Sequence, residues 1–183
     1  MARKRKKRGV RVLALILVAA AVLGGFWYLR RCVPIKYKDL ADKYAGIYGV
    51  RKSLVYALIQ TESGNDPGAV SSAGAVGLTQ ITPETFEWLC LKTGETHAVS
   101  DLNDPETSVK YGVFFLSLLL KEFDGERDTA IAAYNAGMNA VRGWLTDSRY
   151  SSDGRTLKNI PYSETRWYVI KFKCYDILYR ILY

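Results

Sequence analysis

The chain has 183 residues, 49% of them hydrophobic and 24% charged, with a formal net charge of +8. Seven of its 26 basic residues precede Val12 and two more are Arg30 and Arg31, which leaves 17 against all 18 acidic residues, so the body of the chain is close to neutral. This excludes a polyanion binder by composition, and a basic arm ahead of an apolar segment is a topogenic signal before it is a nucleic-acid patch.

The basic run, Arg3 to Arg8 with Arg11, forms a tail at residues 1–11. The apolar stretch Val12–Leu29 has the length of a short transmembrane span, and the excess of positive charge before it predicts a cytoplasmic N-terminus and an exported remainder. A cleaved signal peptide is the rival reading. No small-x-small cleavage site stands out, and Phe26-Trp27-Tyr28 reads as an interfacial aromatic belt, so an uncleaved single-pass anchor in a bacterial cytoplasmic membrane is expected. Leu29-Arg30-Arg31 before Cys32 lacks the small residues of a lipobox. A short linker at 30–36 then leads to residues 37–183, enough for one domain with a sizeable core.

Asp39–Tyr48 reads as a helix stopped by Gly49. In the next helix Ser53 is the expected N-cap and Gly64 the stop. Leu54, Val55, Leu58 and Ile59 precede Glu62 by eight, seven, four and three positions, so this carboxylate continues the apolar face in the final turn. Burial and the negative end of the helix dipole both disfavour its ionised form, and the expectation is a raised pKa and a proton ready for general acid catalysis. The bland alternative is a surface glutamate following an apolar stripe. Asn65-Asp66-Pro67-Gly68 is turn chemistry, and Ser71 to Leu78 is a small-residue run whose glycines allow close backbone approach, with Gln80 supplying an uncharged amide.

Helix signals continue at Pro83–Thr93, capped by Thr82 and stopped by Gly94, and at Asp104-Pro105-Glu106, which opens an apolar-faced helix running to Phe123. The lone His97 sits in an exposed connection without catalytic context, and Ser148, Ser151 and Ser152 read as turn formers, so no triad, metal site or cofactor is implied. Thr129–Ala136 is a short helix ended by Gly137, carrying Tyr134 and Asn135, which in isolation read as a core aromatic and a C-terminal cap. Trp167, Ile170, Cys174, Ile177 and Ile181 recur at helical spacing, predicting a C-terminal helix docked on the core by that stripe. Export would permit a Cys90–Cys174 disulfide, the alternative being apolar packing of both thiols.

Three blocks in order, Glu62-Ser63, Ser72-Ala73-Gly74-Ala75-Val76-Gly77-Leu78-Thr79-Gln80 and Ala133-Tyr134-Asn135-Ala136-Gly137, resemble the transglycosylase SLT domain, the lysozyme-like catalytic module of soluble-type lytic transglycosylases. The segment Pro161-Tyr162-Ser163-Glu164-Thr165 is also similar to the family's, and the likeness runs over roughly residues 38–175. The resemblance implies a mainly α, lysozyme-like domain with at most a small β element around Ala75–Ile81. It implies action on the β-1,4 bond between N-acetylmuramic acid and N-acetylglucosamine in peptidoglycan, with Glu62 catalytic. It also implies Ser63, Gln80, Tyr134 and Asn135 as substrate-cleft residues, with Tyr134 orienting Glu62 or the sugar. Glu164 is a further binding candidate whose alternative is a first-turn glutamate favoured by the helix dipole. Thr79 stands where the family commonly has methionine, Ser108 where it commonly has asparagine, and Gly64 where a larger residue is common. A goose-type-lysozyme-like hydrolase on the same fold and a non-catalytic wall-binding or assembly protein are the competing readings.

Overall fold

The structure, a computed structural model, describes residues 2–183, excepting the side chains of residues 2–12 and Ala14; the charged groups of the Arg3–Arg11 run lie outside the described residues. Among the described residues eight α-helices follow one another: α1 (Ala2–Cys32), α2 (Lys38–Tyr48), α3 (Lys52–Glu62), α4 (Pro83–Thr93), α5 (Pro105–Glu122), α6 (Arg127–Ala136), α7 (Met138–Leu145) and α8 (Ser163–Leu182), with a 3-10 turn at Val99–Asn103. The 18-residue window Leu15–Cys32 of α1 is long and apolar enough to cross a membrane, and none of it is buried within the protein.

The helix runs three residues past the expected end of the span, because nothing between Leu29 and Cys32 breaks it. The remaining connection, residues 33–37, is fixed rather than loose. Val33 is buried in the core, and the Tyr179 and Tyr183 hydroxyls of α8 donate to the carbonyls of Pro34 at 3.3 Å and Val33 at 3.2 Å.

Helix α3 is the axis of the domain. Its residues from Ser53 to Ile59 are all buried, as in a helix enclosed by its neighbours. It packs mainly along α8, which also receives α6; α2 and α6 lie on α5. A smaller cluster, including Phe86, Leu89, Leu102 and Tyr111, joins α4 to α5 beneath the 65–81 loop. The expected helix starts at Thr82 and Asp104 are present: Thr82 Oγ1 accepts from the Thr85 amide at 3.3 Å and Asp104 from the Thr107 amide at 2.9 Å. The small β element consists of two antiparallel bridges, Val70–Val76 and Val76–Ile81.

Four local expectations are corrected. Ser53 does not cap α3. The helix starts two residues earlier than a Ser53 cap would set it, at Lys52 after the extended Arg51, and the Ser53 hydroxyl donates at 2.6 Å to the buried carboxylate of Asp176 on α8. Helix α6 begins at Arg127 rather than Thr129, and α7 follows Gly137 directly, burying Val141 and Trp144. Helix α8 docks by its other face. Thr165, Val169, Phe172, Asp176, Tyr179 and Leu182 are buried, while the Trp167–Ile181 stripe is exposed. Two polar residues, Thr165 and Asp176, broke the inner stripe in the sequence; Asp176 is tolerated inside because Ser53, Arg127 and Arg180 all reach it. Consequently Cys174 is exposed on α8 and Cys90 buried on α4, and both thiols are free.

Candidate active site

Glu62 is the last residue of α3; it is half-buried, and its carboxyl meets α8 at Tyr168. The Tyr168 hydroxyl donates to its Oε1 at 2.5 Å, and the Lys171 ammonium, one turn further along α8, donates to the Thr61 carbonyl at 2.9 Å. Burial raises the Glu62 pKa to about 7 against the opposing pull of the Tyr168 hydrogen bond and the Lys171 charge, because removing water penalises the carboxylate more than one donor and one distant cation favour it. The expected direction is therefore found. Tyr168 is the partner that sequence reading missed; its signal was the i, i+4 offset from Glu164, which puts both on the cleft side of α8.

Residues 78–80 form the floor beside Glu62 and are held from three helices. Ser63 Oγ lies 3.0 Å from the Leu78 carbonyl and 3.2 Å from that of Ile59, so it ties the end of α3 to the loop. The Tyr134 hydroxyl of α6 donates to the Thr79 carbonyl at 2.9 Å, not to Glu62. Its pKa is nevertheless pushed well up by burial and by the Glu62 charge, which puts the two groups in one electrostatic neighbourhood. From α5, Ser108 accepts the Thr79 amide at 3.2 Å, and Thr79 Oγ1 donates to the Ser108 carbonyl at 2.7 Å. Thus Thr79 and Ser108, two positions expected from the sequence to depart from the family pattern, bond to each other.

The loop can sit this deep only because of two glycines. A Cβ on Gly112 of α5 would lie 2.4 Å from the Thr79 Cβ, and one on Gly77 2.1 Å from the Leu102 carbonyl oxygen; Gly77 also has φ +81°. Gln80, itself at φ +48°, uses both amide hydrogens on the Ala69 and Gly77 carbonyls, each at 2.9 Å, so what it offers a ligand is its oxygen.

Asn135 and Glu164 meet in one cavity of about 570 Å³, lined also by Ala136, Pro161, Tyr162, Ser163 and Thr165. The site thus divides into an acid with its support (Glu62, Tyr168), a clamped floor (Ser63, Thr79, Gln80, Tyr134) and a polar flank (Asn135, Glu164). The charged and hydroxyl groups acting on Glu62 are Lys171 and Tyr168; Glu164 is exposed on the first turn of α8.

The arrangement has clear relatives. Residues 39–164 match the family model described as Transglycosylase SLT domain. The soluble lytic murein transglycosylase of Escherichia coli K12 is 34% identical over 176 residues, covering 89% of this chain and 26% of that protein. The membrane-bound lytic murein transglycosylase C of Haemophilus influenzae (strain PittGG) is 36% identical over 116 residues, covering 58% of this chain and 32% of that protein. Among solved structures, the 70 kDa soluble lytic transglycosylase of E. coli in complex with bulgecin A superposes with a TM-score of 0.76 at 32% identity, over 90% of this chain and 27% of that one. A lytic transglycosylase of Pseudomonas aeruginosa, solved as an inactive glutamate-to-glutamine mutant, gives 0.75 at 32% identity over 82% of this chain and 25% of that one. The chain spans about a quarter of the length of the soluble relatives it matches.

Proposed function

The chain belongs to the transglycosylase SLT domain family, and from that premise we propose that it is a peptidoglycan lytic transglycosylase acting with Glu62 alone as acid and then base. The observation that carries the reading is the half-buried Glu62 carboxyl, with a pKa raised to about 7 by burial and a phenol donor from α8. In the protonated form Glu62 gives its proton to the oxygen bridging N-acetylmuramic acid to N-acetylglucosamine. The bond from that oxygen to the muramic C1 breaks, leaving an oxocarbenium-like sugar. The Glu62 carboxylate then takes the proton of the same sugar's C6 hydroxyl while O6 bonds to C1, which closes a 1,6-anhydro ring and restores the acid.

A retaining glycosidase would set a second carboxylate roughly 5 Å from the first, and an inverting one a base farther off. The groups acting on Glu62 here are a phenol and an ammonium, which favours the intramolecular route over water. Tyr168 positions the carboxyl, Asn135 and Glu164 bind the glycan along the flank, Gln80 accepts from it, and Ser63 and Tyr134 hold the floor. In this reading α1 is a single-pass anchor with its basic end in the cytoplasm and the domain on the outer side, supported by the charge asymmetry about Leu15–Cys32.

Digestion of purified sacculi in ¹⁸O-labelled water tests the chemistry. The expected product has 1,6-anhydromuramic ends without label; reducing muramic ends carrying one ¹⁸O would make the protein a lysozyme-like hydrolase. Glu62→Gln should lower turnover by roughly 10²–10⁴-fold, and unchanged binding of sacculi by two equally inactive proteins would make it a binding module.

A further inference from the structure

Helix α8 leaves an outward face that the catalytic reading does not use. Trp167, Ile170, Cys174, Ile177 and Ile181 are all exposed, Trp167 at 69% and Ile181 at 66%. They follow one another at intervals of three and four along about 21 Å of helix, at a rise of about 1.5 Å per residue. The cations Arg166, Lys171, Lys173 and Arg180 flank the line. From Arg166 to Tyr183 every exposed residue is apolar, aromatic, a thiol or cationic; the acidic residue within this stretch, Asp176, is turned inward. Soluble monomers seldom leave so continuous an apolar line uncovered.

The same helix ends against the apolar N-terminal helix. The Tyr183 hydroxyl reaches the carbonyls of Arg30 at 3.3 Å and Val33 at 3.2 Å, and the Arg30 guanidinium lies 4.4 Å from the Tyr183 ring centre. Trp27 and Tyr28, the aromatic pair expected at the bilayer surface, are within two turns of that junction. We propose that the outer face of α8 beds on the anionic lipid surface beside the anchor, with the line from Trp167 to Ile181 among the acyl chain ends and the flanking cations at the headgroups. An apolar line edged by Lys and Arg is the pattern of a helix lying in an anionic interface.

A second α8 would also match the spacing, but it is disfavoured by charge. Pairing two copies in either direction sets cation against cation along the flanks: Arg166 meets Lys171 in a parallel pair, and Lys173 meets its own equivalent in an antiparallel one. Lys173 and Arg180 keep acidic neighbours in Asp128 and Asp176, while Arg166 and Lys171 bond to backbone carbonyls.

The proposal rests on the membrane-anchored reading, and two probes separate the two. The full chain is reconstituted into nanodiscs with and without phosphatidylglycerol, carrying an environment-sensitive fluorophore on Cys174 in a Cys32→Ser background, or on Cys32 in a Cys174→Ser background. Docking is expected to shift the Cys174 probe to the blue and expose it to quenching by shallow acyl-chain nitroxides in the anionic discs, with Ile170→Glu and Ile177→Glu reversing both effects. A Cys174 probe that stays in water while the Cys32 probe is quenched overturns docking and leaves the anchor. A Cys32 probe that lipid does not quench overturns the anchored reading and docking with it. Self-quenching of the Cys174 probe in discs holding two chains, without nitroxide quenching, overturns the lipid assignment in favour of a second copy.

Discussion

Replacing Glu62 by glutamine should stabilise the protein at neutral pH while removing its activity. In the folded chain the Glu62 pKa is about 7, against an ordinary carboxyl value of 4.5. Between these values the folded state holds a proton that the unfolded state has released, so the group's contribution to stability falls as pH rises through that window and is constant above it. At about 1.4 kcal/mol per pH unit, the gap corresponds to roughly 3 kcal/mol lost by pH 8. Glutamine keeps the shape and an acceptor for the Tyr168 hydroxyl but has nothing to ionise. The two proteins should therefore unfold together near pH 4.5 and separate progressively up to pH 7. For a chain of this size that is about 6–12 °C in melting temperature. The assay is thermal unfolding of full-length wild type and Glu62→Gln in the same micelles at several pH values, followed by near-ultraviolet circular dichroism. Other titrating groups cancel in the difference. A difference that does not change between pH 5 and pH 8 would refute the raised pKa and with it the case for Glu62 as a proton donor.

Two further substitutions probe the support around the acid. The alkaline limb of kcat/KM should fall through about pH 7 in the wild type, since the donor must be protonated; Tyr168→Phe removes the bond that favours the carboxylate and should move that limb to higher pH while lowering the plateau. A limb that stays in place would mean that Tyr168 does not govern this group. Gly112→Ala forces a Cβ to within 2.4 Å of Thr79 and should destabilise the fold by about 1–3 kcal/mol, with the 78–80 floor displaced. An unfolding midpoint equal to wild type would show that the floor is not packed this tightly.

Much of this site was legible because its signals are local. The apolar phase of α3 fixed the direction of Glu62, and proline and glycine punctuation marked α2, α4 and α5 closely. What failed were assignments that depend on distant partners. Ser53 has the chemistry of a cap but serves Asp176, 123 positions away, and Tyr134 has the chemistry of a carboxyl partner but serves the Thr79 backbone. Tyr168 could not be selected from among 13 tyrosines until α8 was laid on α3. The C-terminal helix carries two interleaved stripes, and periodicity by itself favoured the cleaner one. The inner stripe contains a threonine and an aspartate whose burial is explained only by Ser53 and the two arginines.

Residues 79 and 108, where the family resemblance leads to the expectation of methionine and asparagine, form a closely tied part of the floor. A methionine at 79 would lose the hydroxyl that donates to the Ser108 carbonyl, leaving the backbone amide of residue 79 as the tie to the fully buried Ser108 hydroxyl. The Thr79 side chain adds a second tie to Ser108, and it is small enough to fit against Gly112. The floor is a compact polar lock, with its backbone fixed by Ser63 from one side and Tyr134 from another. Helix α8 completes the arrangement from above. Trp167 and Tyr168 are consecutive, hence about 100° apart around the helix. The whole line from Trp167 to Ile181 centres on the far side of Trp167, about 140° from Tyr168, so with that line on lipid Tyr168 and the Glu62 it holds face mostly away from the bilayer. The cleft would then meet glycan strands beside the bilayer, at a height set by residues 33–37, whose first member is locked into the core.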